Sequence, residues 1–283
     1  MLTIPPEAMA LANAALTGLT PVILKGPTSR RDPAALNLVR FATAALILVP
    51  LAWSDLRKAD ARLFVLGTVA AILGPGLAWY IYLKALSLTD VTVVSPLTNA
   101  YPLFSAPIYL LVSGVPPSPQ IVAGTIAVVL GVGLVAGSDR PRGGGRISLG
   151  ALLSIAVAAV WGLNTVLFKL ALSGGGALAL AALRASVATA LLAAIVLSRR
   201  GLGLSPADAA AASGVGLLGD SLAMGLMLLA LDLGDPYVIV PLTATTPIFA
   251  SVFAGGLLRE RFGARRVAGI LLTTLGGALL GSA

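Results

Sequence analysis

Long apolar runs dominate the chain, and short polar or Pro/Gly-rich stretches cut them into ten segments. The segments cover about residues 7 to 25, 33 to 53, 61 to 83, 91 to 113 and 119 to 137, then 148 to 170, 176 to 198, 208 to 231, 236 to 258 and 264 to 282. Each holds about 20 residues, enough for an α-helix to cross a hydrocarbon core roughly 30 Å thick. A chain inside lipid must satisfy its own backbone polar groups, and helices do so within one segment. The pattern predicts an all-α polytopic membrane protein with ten transmembrane helices. Met1 to Pro6 lacks the basic stretch of a cleavable leader, so the first segment is expected to stay as a helix.

The two sets of five segments resemble each other. At an offset of 144 residues, Gly18, Leu19, Lys25 and Arg40 meet Gly162, Leu163, Lys169 and Arg184. At 145, Leu73, Gly74, Leu77 and Ala78 meet Leu218, Gly219, Leu222 and Ala223. The string PLTxxxP[LI]F runs from Pro96 to Phe104 and again from Pro241 to Phe249, with Asp90 and Asp235 equally far upstream. Gly124 and Gly131 likewise meet Gly269 and Gly276. These matches predict a first five-helix repeat over 1–137, a linker over 138–147 and a second five-helix repeat over 148–283. Five is odd, so consecutive copies insert with opposite orientation, giving two inverted repeats with a substrate site between them near the bilayer midplane. The glycine run Gly143 to Gly145 in the linker is no phosphate loop, since no Gly-Lys-Ser/Thr follows it.

Composition narrows the chemistry. Charged residues make up 11% of 283 and hydrophobic ones 58%, with a mean hydropathy of +0.98, against roughly 25% charged in soluble domains. Cysteine and histidine are both absent, which excludes disulfides, thiolate or imidazole metal sites, and Ser/His/Asp or Cys nucleophile systems. No catalytic residue, metal or cofactor is expected, and without a P-loop no ATP. The formal charge of +8 lies mainly in short loops, where it sets topology and meets anionic lipid headgroups, so membrane lipids and not nucleic acid are the expected basic-surface partners. Loop cations divide as twelve on one side (Arg30, Arg31, Lys84, Arg140, Arg142, Arg146, Arg199, Arg200, Arg259, Arg261, Arg265, Arg266) and three on the other (Arg57, Lys58, Arg62). The positive-inside rule makes the first side cytoplasmic and puts both termini outside.

Each unit has a Gly and a Lys in its first segment, an Arg in its second and proline in its fourth; the second unit opens Trp161-Gly162-Leu163-Asn164. This layout resembles, over essentially the whole chain, the EamA-type members of the drug/metabolite transporter superfamily and their WGxN pattern. The resemblance implies ten helices around a central cavity, alternating access, substrates such as amino acids or other small metabolites, export, and a multi-pass place in the cell's inner membrane. It also implies both termini inside, against the charge count. Two positions depart from the pattern. Thr17 stands where the family often has Trp, and the acid often found after the fourth helix survives only as Glu260, opposite Val115, where it is expected to touch only a loop. The superfamily's small multidrug exporters use a Glu in their first helix, and the first segment here has no internal acid.

Polar side chains inside a bilayer are costly and face the bundle interior, so they are the substrate-binding candidates. Thr17 and Thr20 share a helical face with Asn13, as Trp161 and Asn164 do with Phe168; both faces are expected to line the cavity, the alternative being plain interhelical hydrogen bonds. Trp79 and Tyr80 are assigned to the cavity, Tyr82 and Lys84 to an interfacial belt. Asn99, Tyr101, Thr243 and Thr246 accompany the prolines of the fourth helices, where hydroxyls can satisfy freed carbonyls and the bend can be a kink or a hinge. Asp220 alone among the acids lies near the centre of a span; it is either an ion-pair partner of Arg184 or a substrate-amine or proton-coupling group. Gly133-xxx-Gly137 and Gly277-xxx-Gly281 suit close packing of the last helices, against each other or across a dimer. The expected function is a transporter of small metabolites, amino acids foremost, working as monomer or homodimer. The competing readings are a multidrug or organic-cation exporter and a non-transporting membrane protein such as a lipid scramblase.

Overall fold

A computed structural model of the chain describes residues 4–101, 103–105, 107–108, 118–136, 148–198, 202–233, 242–243 and 245–281. The expected linker over 138–147, with Pro102, Asp235 and Pro241, lies outside the described residues. Helix α1 spans Pro6–Thr28 and α2 Pro33–Leu51; both open on proline, whose missing N–H falls where no intrahelical acceptor exists. Asp32 caps α2 by accepting from the Ala34 N–H. After a short helix, Trp53–Lys58, α3 runs unbroken through Ala61–Ala71, Ile72–Ala78 and Trp79–Leu88, its middle piece wound as a π-helix. There follow α4 (Val91–Thr98), α5 (Pro119–Ala136), α6 (Leu149–Leu172) and α7 (Ala177–Ser198). Helix α8 joins Pro206–Val215, a second π-helical piece Gly216–Ala223, and Met224–Leu233; α9 is Thr246–Leu257 and α10 Ala264–Gly281.

Among the described residues, α1, α2, α3, α6, α7 and α8 are long and apolar enough to cross a membrane, and α5 and α9 are shorter apolar helices. Leucines such as Leu46 (78% exposed) and Leu197 (74%) stand bare on the outer faces, as lipid-facing helices require. The fourth segment is not the continuous helix expected over 91 to 113. Helix α4 stops at Thr98, and a tight turn follows in which the Tyr101 N–H donates to the Thr98 carbonyl at 3.3 Å. Proline at 102 has no N–H to continue an α-helical ladder, which accounts for the break.

Packing joins the two halves through each other: α2 lies on α7, α5 on α10, α1 on α9 and α4 on α6. Alanines make the α2–α7 seam thin, with Ala34, Ala35 and Phe41 against Ala188, Leu192 and Val196. The repeated glycines sit where backbones meet. A Cβ on Gly18 would stand 2.8 Å from the Ala250 nitrogen and 3.0 Å from Phe249 Cβ; one on Gly162 would stand 3.0 Å from the Ser105 nitrogen and 2.6 Å from Phe104 Cβ. Ala250 and Phe249 are the repeat counterparts of Ser105 and Phe104, so one contact is built twice. Helices α5 and α10 pack on each other through Gly131, Gly269 and Gly276, where an added Cβ would fall 2.8 Å from the Gly269 carbonyl, 2.9 Å from that of Gly131 and 2.7 Å from that of Gly124. Of the expected Gly133-xxx-Gly137 contact, Gly137 lies outside the described residues, and a Cβ at Gly133 would meet nothing within 4 Å, since the seam runs through Gly131 two residues earlier.

The loops that follow the first helix of each unit close opposite ends of α2. Ahead of α2, Arg30 and Arg31 hold the two Asp208 oxygens at 2.7 and 2.6 Å, and Ser205 donates to the same carboxylate at 2.7 Å while capping α8. Beyond its other end, Gly174 offers its carbonyl to the Asp60 N–H at 2.9 Å and packs on Leu63. Glu260 does more than touch a loop: its carboxylate accepts from the Val91 and Thr92 N–H groups at 2.9 and 3.1 Å, capping α4, while Arg266 bonds Asp90 at 2.8 Å. The N-terminus of a helix offers unpaired N–H groups and a positive dipole end, which explains why a carboxylate from the other repeat settles there.

Candidate functional site

The two π-helical pieces correspond under the repeat, Ile72–Ala78 with Gly216–Ala223. A π turn carries an extra residue per turn and leaves irregular carbonyls; in α8 the Ser221 hydroxyl takes up the Gly216 carbonyl at 2.9 Å. Glycine lets this turn approach its neighbours, since a Cβ on Gly219 would lie 2.7 Å from Thr20 Oγ1 and one on Gly216 2.9 Å from Thr43 Cβ. Asp220 is thereby held against α2, where Arg40 binds it bidentately, Nε to Oδ2 at 3.0 Å and Nη2 to Oδ1 at 2.9 Å. Arg40 is wholly buried; its Nη1 donates to Asn37 Oδ1 at 3.0 Å, and its guanidinium lies 4.0 Å above the Trp79 ring. A charge this deep is stable only when so surrounded.

Trp79 belongs to an aromatic cluster that bridges the halves. Its ring meets Tyr82 edge-on at 4.8 Å and Trp161 at 5.4 Å, and Tyr82 stacks on Trp161 at 5.6 Å. Tyr82 is therefore no belt residue: it is 4% exposed and packed inward. Tyr80, two positions away on the helix, is 36% exposed and stands apart from this cluster. Lys25, in the last turn of α1, donates to the Leu86 carbonyl at 2.6 Å and to the Thr89 carbonyl, closing the C-terminal end of α3.

Of the other candidates, Thr17 and Thr20 do share a face with Asn13, whose amide donates to the Ala223 carbonyl at 2.8 Å and reaches Thr17 Oγ1 at 3.4 Å. Asn164 takes the equivalent place of Thr20, and a Cβ at Gly74 would fall on its amide. Asn99 and Thr246 serve their own backbones: the Asn99 amide donates to the Ser95 carbonyl at 2.9 Å, and the Thr246 hydroxyl to the Thr243 carbonyl at 2.8 Å. The Tyr101 carbonyl sits under Gly162.

Arg184 does not make the expected ion pair with Asp220, whose two oxygens are occupied by Arg40. It remains within electrostatic reach of that carboxylate, with its guanidinium 4.2 Å over the Phe168 ring. Sequence reasoning missed Arg40 as the Asp220 partner and the π turns. The signals present were the Gly74-Pro75-Gly76 string and the glycines Gly216 and Gly219 in the middle of apolar spans, where glycine and proline have a packing or geometric reason.

Two helical repeats, interlocked across a buried Arg–Asp–aromatic cluster inside apolar spans, define a multi-pass membrane protein of the transporter kind. The EamA-like transporter family matches residues 5–137 and 148–282, and the chain belongs to that family, one of transporters and not of enzymes. A protein of known crystal structure shares its fold, with a TM-score of 0.67 at 17% identity over 98% of this chain and 96% of that one. No curated protein matches the chain.

Proposed function

We propose that the protein is a carrier of small metabolites, amino acids foremost, exporting them across the inner membrane by alternating access between two inverted five-helix repeats, ten spans in all. The observation that carries this reading is the pairing of matched π turns, one on each side of a cluster formed by Arg40, Asp220, Trp79 and Trp161. Irregular helix at membrane depth is tolerated where it lines a substrate path, and repeats of opposite orientation put that path at their interface. The closure of opposite ends of α2 by equivalent loops supports the inversion. Thr17, Thr20, Trp79, Trp161 and Asn164 are the proposed substrate contacts, while Asp220, both of whose oxygens are held by Arg40, shapes the site beside them. An organic-cation exporter would need Asp220 as a free counter-ion, and its bidentate engagement by Arg40 speaks against that.

The test is flux of labelled amino acids, sugars and a lipophilic cation in proteoliposomes, with lipid scrambling measured in parallel. Amino-acid flux reduced by Asn164→Ala without loss of thermal stability is the expected result. Scrambling without solute flux would overturn the reading.

A further inference from the structure

The two repeats each bury one arginine at the same position of their second helix, but only one of the pair is supplied with acceptors. Arg40 has Asn37 and both oxygens of Asp220. At the corresponding positions around Arg184 the sequence offers Ala181 for Asn37 and Pro75 for Asp220, neither of which has a side chain that accepts a hydrogen bond. The Trp79 that covers Arg40 is replaced by Met224. The structure bears this out: Arg184 is 7% exposed, its Nε has no partner, and among the described residues it makes no hydrogen bond. One positive charge is left over, two arginines against one aspartate. A second orphan lies on the helix that carries Phe168. Asn164 Oδ1 is buried without a partner, one helical turn from the Phe168 ring on which Arg184 rests. Buried polar atoms are almost always satisfied, and an uncompensated guanidinium at this depth is costlier still.

We infer that Arg184 is the counter-ion of a substrate carboxylate, with Asn164 Oδ1 accepting a hydrogen bond from a donor on the same molecule. The inference rests on the transport reading and adds to it the class of solute: one that carries a carboxylate, as an α-amino acid does, with an N–H donor a few ångströms away. Arg40 and Asp220 form the permanently filled copy of the pair. In the other copy the carboxylate arrives with the cargo, so the guanidinium is neutralised only when the carrier is loaded. A planar fork of donors suits a carboxylate, which it can grip with two parallel hydrogen bonds.

The test compares acids with their amides in the purified protein: alanine, leucine and phenylalanine, each beside its carboxamide, with 4-methylpentanoate, inorganic phosphate and chloride as further arms. Binding is read by ligand-induced shifts in thermal melting and by tryptophan fluorescence, transport by flux into proteoliposomes. The acids should bind roughly 10- to 100-fold more tightly than the amides, the value of one charge-assisted contact. Arg184→Gln should erase that difference and Arg184→Lys should keep part of it. Pro75→Asp, which hands Arg184 the acceptor its twin has, should also erase it. The wild-type series needs no variant to fold.

Equal binding and flux of acid and amide would overturn the Arg184 assignment while leaving transport intact, and so would phosphate or chloride binding without carboxylate binding. No flux of any solute, with a carboxylate-dependent melting shift lost in Arg184→Gln, would overturn transport and uphold the anion site. Neither flux nor shift would sink both.

Discussion

Removing the Asp220 carboxylate should destabilise the protein far more than removing its neighbour Arg184. In Asp220→Leu the wholly buried Arg40 loses two charge-assisted hydrogen bonds, at 3.0 and 2.9 Å, and keeps only Asn37 and the face of Trp79. Stranding one partner of a buried pair costs about 3 to 5 kcal/mol. At about 2 to 4 °C per kcal/mol, the melting temperature should fall by about 6 to 20 °C. The double variant Arg40→Met/Asp220→Leu removes both charges and should recover most of that loss, since an apolar pair of similar volume is often as stable as the ion pair it replaces. Arg184→Met removes a buried cation that has no hydrogen-bond partner among the described residues, and should leave the ligand-free melting temperature unchanged or raise it. Melting of detergent-purified protein, followed by tryptophan fluorescence, reads all three. A drop under about 2 °C in Asp220→Leu, or a double variant no better than the single one, would refute the account of the pair.

Gly131→Ala should weaken the α5–α10 seam by about 1 to 3 kcal/mol, because its Cβ would press on the Gly269 carbonyl at 2.8 Å; Gly133→Ala should be neutral or mildly stabilising, and a thermal melt of the two variants side by side checks it. Reporter fusions at Ala283, one active only in the cytoplasm and one only outside, should give the external signal that the twelve-to-three division of loop cations calls for; a cytoplasmic signal means that the rule fails here or that the number of spans is not even.

The repeat was legible because it is written twice. Gly18 and Gly162 stand at one kind of contact, and their match at 144 residues announced it before any packing was known. Arg40 and Arg184 were equally visible as a pair. What could not be read was which arginine meets Asp220. Proximity in sequence favoured Arg184, in the same half, but the π turn of α8 packs on α2 of the other half, so the partner lies across the repeat boundary. The π turns themselves have no apolar period of their own to betray them. Tyr82 reads as a belt residue because it lies in the last turns of its helix, yet it stands three residues from Trp79 on regular helix and so shares the inward face. Glu260 was misread for a related reason: it follows α9 in sequence, yet its carboxylate caps the start of α4 in the other repeat.

The doubled glycine contacts have a consequence for how the chain is made. Each repeat's first helix is covered by the fourth helix of the other, and its last helix by the other's last, so neither half owns a finished interior. During synthesis the first half must wait in the bilayer until the 135 residues of 148–282 have followed, about 7 to 27 s at about 5 to 20 residues per second. For that interval the faces around Gly18 and Gly131 are open to lipid or to insertion factors. The protein therefore matures in one late step, and its two halves, supplied as separate chains, should find each other as obligate partners.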